Sequence, residues 1–127
     1  MKLLLDTHTF IWFMEGDKAL SKPCRQAIED RQNNCFISIA RIWEIAIKSS
    51  LGNLKLNSDF SLITGFLTHN EIDLLPIGFD HLQKLLTLTY HHRDPFDRII
   101  IAQALTENLT IVSKDENSPK YTDNILW

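Results

Sequence analysis

The sequence predicts an α/β fold, a three-layer α/β/α sandwich around a central parallel sheet, and two observations carry the prediction. Short, largely apolar runs recur at residues 2–5, 35–37, 72–77 and 109–112, as strands covered on both faces would. Longer stretches with helix start and stop signals separate them, and strands alternating with helices call for parallel pairing.

The first strand, 2–5, stops at Asp6, and residues 7–15 read as a helix ended by Gly16. Phe10, Ile11, Trp12, Phe13 and Met14 give that helix more apolar surface than one stripe accommodates, so part of it is expected to face another chain. Ser21 caps a second helix, with Pro23 in its first turn, to about residue 32. Ser38, after the second strand, caps a helix from 39 to about 51, which Gly52-Asn53 ends. Asn57 or Ser58 starts another, to about 68. Pro76 closes the third strand, and a helix over 80–90 follows. The fourth strand stops at Ser113-Lys114-Asp115, and 124–126 adds a short edge strand.

Between these lies HHRDPFDRIIIAQA. Pro95 fixes its own φ and cannot donate a hydrogen bond, so it suits the first position of a helix. Asp94 is then the N-cap, Asp97 the third helical residue, and 99–104 is apolar almost without a break. An isolated D-P-x-D is a helix cap and nothing more; whether other acids converge on it decides its meaning.

With 127 residues, 44% hydrophobic and 23% charged, the chain reads as one domain, 1–127, with an ordinary globular core. A net charge of −3 argues against a protein that coats nucleic acid, though not against an enzyme that grips it around an acidic centre. Cys24 and Cys35 have neither ligand spacing nor a disulfide framework, so reduced thiols in a cytoplasm are expected. Asp6 interrupts the apolar start, no small-residue cleavage site follows, and no segment approaches the ~20 apolar residues of a membrane span. The expectation is a compact cytoplasmic protein with no membrane association.

In open parallel sheets, function collects at the carboxyl ends of the strands. Asp6 ends the first strand, Asp115 follows the fourth, and Asp97 opens a helix whose positive terminus favours an ionised carboxylate. The three meet if their strands are neighbours. Glu44 is less obvious. A helical wheel puts Ile39, Ile42, Trp43, Ala46 and Ile47 on one face and Arg41, Glu44 and Lys48 on the other, which reads as a solvated face. Each acid has an ordinary explanation alone, as a cap, a turn residue or a surface charge.

Together they point elsewhere, because clustered carboxylates repel one another and are kept mainly to hold a hard cation. Oxygen ligands suit Mg²⁺ or Mn²⁺, and such an ion activates water for in-line attack on a phosphodiester. No serine, cysteine or histidine is arranged as a nucleophile, and no Gly-rich phosphate loop appears. An aspartyl-phosphate enzyme is set aside because His8 stands where its second aspartate belongs, and nothing acidic precedes Asp6.

These residues are familiar as a set. The chain resembles the PIN-domain nucleases, and among them the ribonuclease toxins of the VapC type, through LLLDTHTFIW, SIARIWEIAIKSSLGNLKL, HHRDPFDRIIIAQA and TIVSKDE. WEIAIK and the last half of the third motif are its specific parts, and it spans nearly the full length. The resemblance implies a PIN-like parallel sheet of about five strands. It implies an acidic site at Asp6, Glu44, Asp97 and Asp115, with Asp94 as an additional acid. Asp6 and Asp97 would be the leading metal ligands; Glu44 and Asp115 would complete the site, Asp115 as a further ligand. The implied activity is Mg²⁺- or Mn²⁺-dependent endoribonucleolysis of RNA, by a homodimer held by a cognate antitoxin whose C-terminal segment covers the site. Trp12, Phe13 and Met14 would suit that helix-in-groove contact, or ordinary core packing.

Arg41 departs from the pattern, standing where relatives often carry a small hydroxyl residue. Its guanidinium could reach Glu44 at i,i+3 and compete with a cation, or grip an RNA phosphate, and the second is the expectation. Arg93 and Arg98 are further candidates for the RNA backbone, and His8, His91 and His92 read as surface or orienting groups. Two other functions compete: a housekeeping PIN nuclease in RNA processing or decay without an antitoxin, and a silent protein-binding module. The intact acidic set argues against the latter, which has no use for self-repelling carboxylates.

Overall fold

The computed structural model describes residues 1–89 and 94–127. Among them, five parallel strands form one sheet in the order β3-β2-β1-β4-β5. They are β1 (Lys2–Leu5), β2 (Asn34–Ser38), β3 (Ile72–Leu75), β4 (Thr110–Val112) and β5 (Ile125–Leu126). The helices are α1 (Thr7–Glu15), α2 (Lys22–Glu29), α3 (Ile39–Ser50), α4 (Ile63–His69), α5 (Phe79–Leu85) and α6 (Pro95–Glu107). The chain lays β2 and β3 on one side of β1, then returns to lay β4 and β5 on the other. That reversal between β1 and β4 opens a crevice at their carboxyl ends.

Strand residues alternate between two cores, as a period of two requires. Leu3, Leu5, Cys35, Ile37 and Val112 pack with Phe10 and Ile11 of α1, Cys24 and Ile28 of α2, and Ile63 and Leu67 of α4. Leu4, Phe36 and Ile111 pack on the opposite face with Leu85 of α5 and Ile99, Ile100 and Ile101 of α6. Helices cover both faces of the sheet, which is why the strands carry no polar alternation. α3 contributes Ile45 to the first core and Ala40 to the second, so it bridges the two helical layers.

Local chemistry sets most boundaries. Gly16 ends α1 at φ 65, a left-handed cap that returns its N–H to Phe13. Ser21 caps α2 by accepting from the Cys24 amide. α2 stops at Glu29, earlier than expected, because the Asp30 carboxylate accepts from the Gln32 amide at 3.0 Å and turns the chain. Asp59, rather than Asn57 or Ser58, caps the 3-10 turn Phe60–Leu62 that leads into α4. β3 stops at Leu75, before Pro76, which has no N–H for a ladder. α5 ends at Leu85 with turns from Thr87 and Leu88 back onto Lys84 and Leu85; Tyr90, expected to end this helix, lies outside the described residues.

The apolar excess of α1 meets partners within the chain. Trp12 lies 5.8 Å from Trp127, and Phe13 stands edge-on to Phe66 at 5.8 Å with Arg25 over its face. Trp12, Phe13 and Met14 all stay half-buried on the first core. Exposed large apolar side chains lie elsewhere, among them Trp43 of α3 and Phe79 and Leu82 of α5. Among the described residues, no helix is long and apolar enough to cross a membrane.

Both cysteines are buried free thiols. Burial pushes the Cys24 thiol up, and it pushes Cys35 to about 11, with the Asp73 carboxylate adding to the rise. A thiolate is the reactive form, so neither should react with a disulfide reagent at mildly alkaline pH until denaturant is added. Prompt labelling of the folded protein would contradict this packing.

Candidate active site

The C-terminal ends of β1 and β4 lie side by side, with Leu5 opposite Val112. Asp6 leaves β1 directly into α1. Its amide still donates to Val112, while Oδ1 accepts from the Thr7 amide at 2.8 Å as the helix cap. Ser113 leaves β4 and donates its hydroxyl to Asp6 Oδ2 at 2.7 Å, and the same hydroxyl accepts from the Asp115 amide at 3.0 Å. Thr9 on the next turn of α1 donates to the Val112 carbonyl at 2.9 Å and locks helix to strand. Neighbouring strands therefore put Asp6 and Asp115 at one edge, as expected if the two were adjacent.

α6 brings Asp97 to that edge. Asp94 is its N-cap, one carboxylate oxygen accepting from the Phe96 and Asp97 amides at 2.8 and 3.2 Å. This leaves the Asp97 side chain in the first turn, aimed at the crevice. Burial pushes its carboxyl above the ordinary value; Arg41 partly offsets that, while Asp94 and Asp6 add to it.

α3 supplies the remainder and corrects the helical wheel. Its buried face is Ala40, Arg41, Glu44 and Ile45, whereas Ile39 and Trp43 are exposed at 37% and 60%. The polar face turns inward because it closes the crevice between the two helical layers. Glu44 Oε1 accepts from the Thr7 hydroxyl at 2.7 Å and Arg41 Nη1 at 2.9 Å, and Oε2 accepts from Lys48 Nζ at 2.6 Å. Burial alone would raise the Glu44 carboxyl; Lys48, Arg41 and Thr7 outweigh it and hold it below its ordinary value. Trp43 covers the outer side of the same helix, edge-on to Phe96 at 5.4 Å.

Arg41 is the centre of the arrangement. Nη2 lies 2.6 Å from Asp6 Oδ1 and 2.8 Å from Asp97 Oδ1, while Nη1 is held by Glu44. Burial would lower its pKa, but the charges of Asp6, Asp97 and Glu44 raise it well above the ordinary value, so it is a permanent cation here. Of the two contacts open to it from sequence, the one with Glu44 forms, and it extends to two further acids.

Asp6, Thr7, His8, Trp12, Arg41, Glu44, Lys48, Asp94, Asp97, Lys114 and Asp115 line one cavity of about 490 Å³. All five expected acids are thus brought together. Asp115 is the outlying one: its Oδ1 accepts from the Asn117 amide at 3.0 Å, and its link to Asp6 runs through Ser113. Arg98 is not brought to the cavity. It is buried behind α6 and donates to the carbonyls of Thr89, Leu85 and Leu88, closing the end of α5. His91, His92 and Arg93 lie outside the described residues. Thr7 and Ser113 were not legible as site residues, although each is a hydroxyl next to a strand end.

Among the described residues, a compact ligand-like group lies elsewhere. Asp80, His81 and Glu107 offer atoms within 4.8 Å of one another. His81 Nδ1 accepts from the Gly78 amide at 2.9 Å, which leaves the proton on Nε2, where it is given to Glu107 Oε1 at 2.8 Å. Neither ring nitrogen has a lone pair to spare, so this group ties α5 to α6.

The family model of the PIN domain matches residues 3–124. The chain belongs to the PIN domain family. No curated protein matches it. Among solved structures, a chain of the VapBC2 complex from Rickettsia felis, bound to a DNA fragment from their promoter, superposes with a TM-score of 0.73 at 16% identity, covering 100% of this chain and 98% of that one. A chain of a toxin-antitoxin complex from Klebsiella pneumoniae gives 0.66 at 18% identity, covering 98% and 96%. A chain of VapBC-1 from nontypeable Haemophilus influenzae gives 0.66 at 17% identity, covering 100% and 96%. At these identities the likeness speaks for the fold. In an open parallel sheet, ligands bind at the carboxyl edge where the strand order reverses, here between β1 and β4, and it is where the acids of this chain stand.

Proposed function

We propose that this PIN domain is a Mg²⁺- or Mn²⁺-dependent endoribonuclease and the toxin of a toxin-antitoxin pair. One observation carries the reading: Asp6, Glu44 and Asp97 close on a single cationic centre, Arg41, in a cavity that Asp94 and Asp115 also line. The donors are all carboxylate oxygens, which suits a hard divalent ion. A guanidinium nitrogen already bridges Asp6 and Asp97, a stand-in for the charge these two acids are built to hold. Asp6 and Asp97 would be the leading ligands, with Asp115 beside them.

A bound divalent cation supplies Lewis acidity, making coordinated water a nucleophile near neutral pH and neutralising charge on the phosphodiester. The chain's own residues do the rest. The Thr7 amide fixes Asp6 Oδ1 at the start of α1, and Arg41 works against the burial that raises the Asp97 carboxyl. Glu44, held by Thr7, Arg41 and Lys48, positions the guanidinium rather than offering free lone pairs. Lys48 and Lys114 bring positive charge to the same cavity, where an RNA backbone would approach. Arg41 lines that cavity and could turn to a phosphate after leaving the acids; Arg93 is a candidate from sequence alone. The toxin-antitoxin complexes among the similar structures support a cognate antitoxin as partner; a homodimer in a cytoplasm belongs to the same proposal.

The test is cleavage of RNA by the purified protein, with Mg²⁺ or Mn²⁺ and with a chelator, beside Asp6→Asn and Asp97→Asn. Even outer-shell changes at metal sites cost about 10–100-fold. Each substitution should therefore reduce cleavage by roughly 100-fold or more, and chelation should abolish it. Cleavage that survives both would sink the reading.

A further inference from the structure

The guanidinium of Arg41 stands where a cation held by Asp6 and Asp97 would compete with it. A single nitrogen, Nη2, contacts Oδ1 of both acids, at 2.6 and 2.8 Å. Those oxygens cannot give the same lone pairs to a guanidinium and to a metal. The side chain lies deeper than the acids it joins, exposed at 5% against 17% and 20% for Asp6 and Asp97. A cation entering from the cavity therefore meets carboxylates whose inner partner is already in place.

The other end of the guanidinium is anchored. Nη1 is held by Glu44, itself fixed by the Thr7 hydroxyl and the Lys48 ammonium. Nε is buried and has no hydrogen-bond partner among the described residues. The resting pose is thus complete at its two terminal nitrogens and incomplete at the third. A fully satisfied structural arginine would not leave that donor orphaned.

We propose that Arg41 is a tethered counter-ion that occupies the cation's place in the metal-free protein. Binding of a divalent ion and release of Nη2 from Asp6 and Asp97 are then one coupled event. The site is self-compensated at rest, folds without metal, and takes up the ion only where the ion outcompetes its own arginine. A residue without charge at position 41 would leave the acid pair without this competing cation. This inference rests on the reading of Asp6 and Asp97 as cation ligands.

The experiment is a titration with Mn²⁺ alone, followed by calorimetry or by the paramagnetic signal of free ion, on the wild type, R41Q and K48Q. K48Q removes the same charge from the same cluster without touching Asp6 or Asp97. R41Q should bind Mn²⁺ at least tenfold more tightly than wild type, and K48Q should change affinity by less than threefold. Equal affinity of R41Q and wild type, or equal gains in R41Q and K48Q, overturns direct occupancy. No binding by any of the three overturns the metal reading itself, a different outcome from a wild type that binds and an R41Q that gains nothing. Should R41Q fail to fold, the wild type still decides the point. Its Arg41 guanidinium resonances should move on addition of Mg²⁺, and resonances unmoved at saturating Mg²⁺ would overturn the proposal.

Discussion

Replacing Ile100 by alanine is expected to destabilise the chain by about 2–5 kcal/mol, enough to remove a large share of the stability of a domain of this size. Ile100 is 1% exposed and sits mid-helix in α6, within the core that joins this helix to β1 and β4 through Leu4 and Ile111. Truncation removes three carbon atoms from a layer closed on all sides. The neighbours Ile99, Ile101 and Ala104 are fixed by the same helix, so they cannot collapse into the gap. Urea unfolding should show the transition midpoint falling with an unchanged slope. A loss below about 1 kcal/mol would mean that the layer relaxes and is not held by the geometry described.

Substituting Glu44 by glutamine should cost about 3–5 kcal/mol at neutral pH, nearer the lower figure because Lys48 is partly exposed. The change is nearly isosteric, so packing is not at issue. It replaces an acceptor of three donors by a group that is half donor, and leaves Arg41 with one fewer carboxylate. The pH dependence identifies the cause. The Glu44 carboxyl is held below its ordinary value of 4.5: burial opposes this, and Lys48, Arg41 and Thr7 outweigh burial. A depressed acid stabilises the fold above the unfolded value and loses that contribution as pH falls through the folded one. The gap between the two proteins should therefore be widest at neutral pH and narrow below 4.5. A gap of constant size across that range would exclude charge as its origin.

Both residues bear on what could be read without coordinates. The start of α6 was legible because its causes are local: Pro95 excludes itself from any later helical position, and Asp94 answers the amides that follow. The strands were legible from their continuous apolar runs, and the edge from Asp6 and Asp115 at strand ends. The inward turn of Glu44 was not. Hydropathy assigns polar residues to solvent, and that rule fails where a helix faces a cavity lined with acids. Trp43 and Ile39 misled in the same way, standing largely outside although the wheel placed them within. Nor could sequence show that Arg41 reaches across to Asp6 and Asp97, since those contacts depend on three elements far apart along the chain. The end of α2 differs because a single side chain, Asp30, turns the chain there.

The sharing of one carboxylate by Thr7, Arg41 and Lys48 has an implication for how this protein varies. Substitutions within such a set do not add, because each changes what the others are bonded to. Losing Arg41 alone takes one cationic partner from Asp6, Glu44 and Asp97 together, yet losing it with Glu44 removes one of those three acids in the same step. Position 41 is therefore free to change in company and constrained in isolation. A survey of single variants will misjudge Thr7, Arg41, Glu44 and Lys48 taken one at a time, whereas paired exchanges should open routes that no single step reveals.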